Sequence, residues 1–257
     1  VVEIIAHRGA SFDAPENTLA AFRLAFEQRA DAIELDVQLS RDGRIVVIHD
    51  FTTHRIGGVD KAIREQDLGE LKLLDVGRWK DLRWMGERIP TLRESLQTIP
   101  PGKRVYIEIK SGAEIIPELE RVISASSLGT TQVVIIAFDY DTIVKAKKWM
   151  PHFECAWLIG FKPDARRPDP EVLCQEIVQR AQCAGLDGLD LNHTGPLTPE
   201  FMKTIHDAGL KTYVWTVDNV LAAKKMIDLG VNAIATNRPA WLRDQLSLAK
   251  SASTLAS

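Results

Sequence analysis

Eight times along this chain a short apolar run gives way to a longer amphipathic stretch, and that alternation limits the possible folds more than any other feature. The runs are Ile4–Ala6, Asp31–Asp36, Val105–Ile109, Val133–Ala137, Cys155–Ile159, Gly188–Leu191, Thr212–Thr216 and Ala233–Thr236. Helical spacing follows them at Asn17–Arg29, Thr91–Thr98, Glu114–Ser126, Tyr140–Trp149, Pro170–Ala184, Thr198–Asp207, Val220–Leu229 and Ala240–Ala249. In the first of these, Leu19, Phe22, Leu24, Ala25 and Phe26 recur at roughly three- and four-residue steps. Strand and helix in strict rotation build a parallel sheet, because a parallel neighbour is reached only by a crossover. Eight such units predict an α/β chain closed into a (β/α)8 TIM barrel, with an open doubly wound sheet as the alternative. At 257 residues and 45% hydrophobic, the chain can fill one barrel domain over its whole length.

One stretch breaks the rhythm. Val37–Ser40 and Arg44–Ile48 flank Arg41-Asp42-Gly43, which reads as a β-hairpin with an Asp-Gly turn. Centred on that turn, Asp36 falls roughly opposite His49. The segment 51–90, with Gly57-Gly58, clustered charges, Trp79 and Trp84, reads as a small cap inserted between the second strand and the second helix. Ser251–Ser257 is polar and expected to fray.

Composition narrows the function. Lys plus Arg number 32 against 35 for Asp plus Glu, a net charge of −3 without a basic stripe, so nucleic acid is not an expected partner. A phosphate ligand would have to be met by a local cluster. Cys155, Cys174 and Cys183 are odd in number and fit neither a CxxC pair nor a zinc site; they read as reduced thiols. No run reaches the roughly 20 apolar residues of a membrane span, so no stable membrane anchor is expected. Val1–Ile5 lacks the pattern of a secretory leader, and the expected location is the cytoplasm; a start without Met is also compatible with a trimmed leader.

In such a barrel the chemistry sits where the strands end. Those ends carry His7-Arg8, Glu34 and Asp36, Glu108 and Lys110, Trp215, and Thr236-Asn237, while His49 closes the hairpin. Glu34 and Asp36 are two apart on a strand and so share a face. With Glu108 on the neighbouring strand they form a site for a hard divalent cation bound through oxygen. The competing reading is a structural salt network with Arg8 and Lys110 as counter-ions. His7 and His49 beside these acids suit proton transfer near neutral pH, against the plainer reading of buried, hydrogen-bonded imidazoles. Arg8 and Lys110 add charge for a phosphoryl group. Trp215 is either a wall for a substrate's carbon skeleton or a core residue. His54, His152, His193 and His206 have no such setting and read as structural or surface residues.

Taken in order, His7-Arg8-Gly9, Pro15-Glu16-Asn17-Thr18, Glu34-Leu35-Asp36-Val37, His49-Asp50, Gly86–Leu92, Glu108-Ile109-Lys110, Trp215-Thr216-Val217 and Thr236-Asn237-Arg238-Pro239 resemble the glycerophosphodiester phosphodiesterase family over nearly the whole chain. The resemblance implies Glu34, Asp36 and Glu108 as ligands of one Mg²⁺ or Ca²⁺ ion. It implies His7 and His49 as the acid–base pair, Arg8 and Lys110 on the phosphate, and Glu16 and Asn17 shaping the first loop. Segment 51–90 would be the family's insertion in compact form. Implied substrates are glycerophosphodiesters such as glycerophosphocholine and glycerophosphoethanolamine, cleaved to sn-glycerol 3-phosphate and an alcohol. One departure is Asp218, where the family commonly has Asn; Asp218 is expected to cap the following helix and to disfavour an anionic head group. Two rivals differ from this reading: a phospholipase-like relative acting on intact lipids, for which Trp79, Trp84 and Met85 would supply an apolar rim, and a silent barrel that binds phosphate esters without turnover.

Overall fold

In the computed structural model, which describes residues 2–161 and 169–255, nine strands form one sheet. They are β1 (Glu3–Ala6), β2 (Ala32–Leu39), β3 (Ile45–Val47), β4 (Arg104–Ile109), β5 (Val133–Ala137), β6 (Glu154–Ile159), β7 (Gly188–Asn192), β8 (Lys211–Trp215) and β9 (Ala233–Thr236). β1 pairs in parallel with both β2 and β9, so the sheet closes on itself. Eight parallel strands with helices between them form a (β/α)8 barrel, and the open-sheet alternative falls. Closure leaves the ring without an edge strand. β3 lies outside the ring, antiparallel to β2.

Period-two alternation sorts the side chains into two cores. Ile33, Leu35, Val37, Ile107 and Ile109 face outward and pack under the helices. Tyr106, Val134, Ile136, Leu158 and Tyr213 face inward and fill the barrel. Tyr106 and Tyr213 meet edge to face at 5.2 Å, and their hydroxyls donate to Glu3 and Glu154 respectively. These hydrogen bonds satisfy polar groups at the end of the barrel where the strands begin. The opposite end is left for polar chemistry.

The helices start where local chemistry stops the preceding loop. Thr18 caps Leu19–Glu27 by accepting from the Ala21 N–H, and Thr91 and Glu94 form a capping box on Leu92–Leu96. Phe22, on the buried face of the first helix, is fully buried. Phe22→Ala should cost about 3–5 kcal/mol, read from urea unfolding; a loss under about 1 kcal/mol would contradict its place in the core. The last helix runs Pro239–Leu255, beyond Ala249 and through the polar residues expected to fray from Ser251. The remainder of that expectation, 256–257, lies outside the described residues. Among the described residues no helix is long and apolar enough to cross a membrane.

Segment 51–90 carries only short turns of helix, at His54–Gly57, Ile63–Glu65, Leu68–Leu71 and Leu82–Trp84. Its own small core joins Ile56, Ile63, Leu71, Val76 and Ile89 to Val46 on β3 and Ile48 just after it. It also clasps the loop after β1: Lys80 Nζ donates to the Ser11 carbonyl, and Arg83 and Trp84 both donate to that of Asp13. Trp84 is therefore partly occupied in holding that loop, while Leu82 and Met85 stay exposed.

Candidate active site

Glu34 and Asp36 point inward from β2, and the parallel register sets Asp36 beside Glu108 on β4. One oxygen from each of the three carboxylates lies within 4.8 Å of the others. All three residues are buried. Burial drives Glu34 well above the usual carboxylate range, and Asp36 and Glu108 push the same way. Burial and then Asp36 likewise push Glu108 up to about 7, against the pull of Lys110. Three bare carboxylates this close cannot all stay ionised without a cation.

The counter-ions are present: Lys110 Nζ is 2.9 Å from Glu108 and 3.8 Å from Asp36, and Arg8 Nε is 3.3 Å from Asp36. Two cations against three carboxylates still leave one charge over. Glu34 Oε1, Asp36 Oδ1 and Glu108 Oε1 are buried without a well-formed hydrogen bond. Converging oxygens with free lone pairs and no nitrogen or sulfur among them fit a hard divalent ion such as Mg²⁺ or Ca²⁺.

His7 follows β1, held by its N–H on the Thr236 carbonyl. Its Nδ1 lies 2.8 Å from Asn237 Oδ1 and its Nε2 lies 3.9 Å from Glu34. Burial, aided by Arg8, lowers its pKa to about 4, so the ring is neutral at pH 7. His49 comes off β3 with Nδ1 2.8 Å from Asp50 Oδ1. Burial alone would raise Asp50, but hydrogen bonds from Arg55 and His49 outweigh it and lower its pKa to about 2. Both histidines line one pocket with Arg8, Glu34, Glu108 and Lys110.

The hairpin register differs by one residue from the sequence expectation. Val37 pairs with Val47, and Ile48, not His49, donates to the Asp36 carbonyl. The loop is centred on Asp42, the middle of the expected Arg41-Asp42-Gly43 turn, with Gly43 at φ +72°, and symmetric pairing about that centre sets residue 36 opposite 48. His49 is thereby carried one step past the pairing.

The loop after β1 is strained at Arg8 (φ 56°) and Asn17 (φ 57°), a conformation that L-residues rarely adopt. Asn17 N–H donates to the Arg8 carbonyl, and its side chain donates to Asp36 Oδ2 while accepting from the Asp36 N–H. Glu16 takes Arg8 on one side and Arg55 on the other. So Glu16 holds the Arg8 guanidinium and Asn17 holds a carboxylate of the acidic cluster. Gly9 permits the turn, because a Cβ there would sit 2.7 Å from the Ala21 backbone.

Trp215 lines the pocket, edge to face with Phe138 at 5.5 Å. Sequence reasoning missed Phe138, Asp190 and the partner role of Asp50. Asp190 is buried among the pocket-lining residues, and burial with Glu108 nearby holds its pKa well above the carboxylate range. The available signals were an acid inside an apolar strand run and an acid directly after His49. Asp218 is not the helix cap: Asn219 is, accepting from the Leu221 and Ala222 N–H groups. The Asp218 carboxylate instead accepts from Thr236 Oγ1 and from the backbone and side-chain N–H groups of Asn237. Its charge is thereby held by three donors.

Comparison with known proteins agrees with this geometry. The family model described as "Glycerophosphoryl diester phosphodiesterase family" matches residues 7–241. A glycerophosphodiester phosphodiesterase of Caldanaerobacter subterraneus subsp. tengcongensis is 36% identical over 245 residues, covering 93% of this chain and 95% of that protein. One from Bacillus subtilis is 31% identical, covering 91% of this chain and 83% of that protein. Among solved structures, an Oleispira antarctica phosphodiesterase in complex with the product sn-glycerol-3-phosphate superposes with a TM-score of 0.85 at 29% identity, covering 95% of this chain and 96% of that one. The chain belongs to the glycerophosphoryl diester phosphodiesterase family and is a phosphoric diester hydrolase.

Proposed function

We propose that this enzyme hydrolyses glycerophosphodiesters such as glycerophosphocholine and glycerophosphoethanolamine to sn-glycerol 3-phosphate and the free alcohol. The observation that carries the reading is the meeting, at one barrel mouth, of an oxygen-only acidic triad, two imidazoles and two cations. The sn-glycerol-3-phosphate bound by the Oleispira antarctica relative supports the glycerol phosphate half of the substrate.

Glu34, Asp36 and Glu108 would hold one Mg²⁺ or Ca²⁺ ion, which when bound supplies Lewis-acid polarisation of the phosphoryl group. Arg8 and Lys110 face the phosphate and offset the charge it gains in the transition state. His7, neutral with Nε2 toward the acids, takes the proton of the nucleophile. That nucleophile is either water, giving sn-glycerol 3-phosphate directly, or the neighbouring glycerol hydroxyl, whose cyclic phosphate is then opened by water. His49, its Nδ1 held against the Asp50 carboxylate, is placed to give a proton to the departing alcohol. Trp215 and Phe138 wall the carbon skeleton.

The direct test is release of sn-glycerol 3-phosphate from glycerophosphocholine by protein stripped with chelator and given back Mg²⁺ or Ca²⁺. Product with either ion supports the reading. The exposed Leu82 and Met85 on the inserted segment make lipid vesicles the comparison arm. Turnover of vesicles without turnover of any soluble diester would replace this reading with the lipid one, and binding without turnover in both arms would replace it with a silent barrel.

A further inference from the structure

A neutral imidazole takes up a proton only through the ring nitrogen that lacks one, so a base needs its tautomer fixed as well as its position. The hydrogen bonds around His7 fix it, and they lead back to Asp218. Asp218 Oδ1 accepts from Thr236 Oγ1 at 2.7 Å and from the Asn237 backbone N–H at 2.8 Å. Asp218 Oδ2 accepts from Asn237 Nδ2 at 2.5 Å. A carboxylate can only accept, so the NH₂ end of the Asn237 amide must face it. The amide oxygen then has one place to go, toward His7 Nδ1 at 2.8 Å. Ser11 Oγ, 2.9 Å from that oxygen, is a hydroxyl donor and agrees with the same orientation. An amide oxygen also only accepts, so His7 Nδ1 must carry the hydrogen. Nε2, on the side of Glu34, is left with the lone pair.

We infer that Asp218 is a positioning residue, which acts through the Asn237 amide to hold His7 as the Nδ1–H tautomer with Nε2 free to accept a proton. This deepens the proposed function and rests on His7 belonging to the acid–base pair. Among the described residues Asp218 hydrogen-bonds to Thr236 and Asn237 and not to the acidic triad, and its path to the His7 ring is the Asn237 amide. An Asn at 218 would behave differently in this setting. The Asn237 backbone N–H still demands an acceptor at the Oδ1 position, so the new NH₂ group would occupy the Oδ2 position. Asn237 would then turn its oxygen toward residue 218 and its NH₂ toward His7. Nδ1 would become the acceptor and Nε2 the N–H, the wrong tautomer for a base. Exchanging the pair, Asp218→Asn with Asn237→Asp, restores an acceptor at Nδ1, because the NH₂ of residue 218 then donates to the carboxylate of residue 237.

The test compares wild type, D218N and the double variant D218N/N237D as metal-loaded protein. Selective ¹⁵N-histidine labelling reads the ring tautomer, with His7→Gln used to assign the His7 signal. Thermal unfolding checks that each variant is folded. We expect wild type to show Nδ1–H at His7, and D218N to shift toward Nε2–H. In D218N kcat should fall about 10-fold to 10²-fold with KM within about two-fold, and the double variant should recover the tautomer and most of kcat. Unchanged kcat and tautomer in D218N would overturn the inference. So would a kcat loss in D218N with the tautomer unmoved, or a double variant that regains the tautomer without regaining turnover. Should D218N fail to fold, the double variant alone decides, because the inference requires it to be active as the Nδ1–H tautomer. Because the tautomer is read without substrate, an error in the proposed reaction would appear as inactive wild type with the tautomers still as expected.

Discussion

Stripping the divalent ion with chelator should lower turnover of glycerophosphocholine by about 10³-fold or more, and adding back Mg²⁺ or Ca²⁺ should restore it. The magnitude follows from several kcal/mol of transition-state charge stabilisation at about 1.4 kcal/mol per tenfold. Asp36→Ala should give a similar loss that no added ion repairs, because Asp36 is fully buried and supplies one of the three converging oxygens. The stripped protein should also carry a stability signature. Glu108 is held up to about 7 in the folded chain, chiefly by burial and then by Asp36, so the folded state binds more protons than the unfolded one between the ordinary value of 4.5 and about 7. Stability of the stripped protein should therefore be greatest below pH 4.5 as far as this group is concerned, and be lost as pH rises through about 7. Glu108→Gln should flatten that dependence. Full activity after exhaustive chelation, verified by metal analysis, would remove the cation from the mechanism.

His7→Ala and His49→Ala should each lower kcat by about 10²–10⁴-fold on glycerophosphocholine. The two should part company on a diester whose leaving group is an aryl alcohol. Such a group departs without needing a proton, so the loss in His49→Ala should shrink to about 10-fold while the loss in His7→Ala persists. The geometry sets this asymmetry: Asp50 presents a carboxylate to His49 and Asn237 presents an amide oxygen to His7. Equal rescue of both variants, or rescue of His7→Ala alone, would reverse the assignment of roles. Near-normal turnover of both would end the acid–base reading altogether.

Strand and helix periodicity made the barrel legible because each unit buries its own apolar face, and that burial is written locally. Tyr140–Trp149 falls on the same residues in sequence and structure, and the other helix limits differ mainly where caps or short 3-10 turns decide the boundary. The triad was legible for the same reason: two carboxylates two residues apart on a strand must share a face. The hairpin shows a limit: its turn was legible, yet the strands pair about Asp42 so that Asp36 meets Ile48 and His49 falls one step past. Asp218 shows another. An Asp before a helix reads as a cap, yet Asn219 takes that place, and the three donors that claim Asp218 come from residues 236 and 237, brought alongside only by the closed fold. Asp190 was hidden in an apolar run whose inward face becomes the pocket only once eight strands surround it.

The left-handed backbone at Arg8 and Asn17 bears on how this chemistry can be moved between proteins. A designer who copied only His7, Glu34, Asp36, His49 and Glu108 onto an idealised barrel would meet a loop whose dihedral angles the new scaffold avoids. Arg8 would then point elsewhere, and Asp36 would lack the Asn17 amide that holds it. The portable unit must add to those five residues the continuous stretch from His7 to Thr18 and the hairpin that bears His49. Grafts should be judged by whether that stretch keeps its two left-handed residues before any activity is measured.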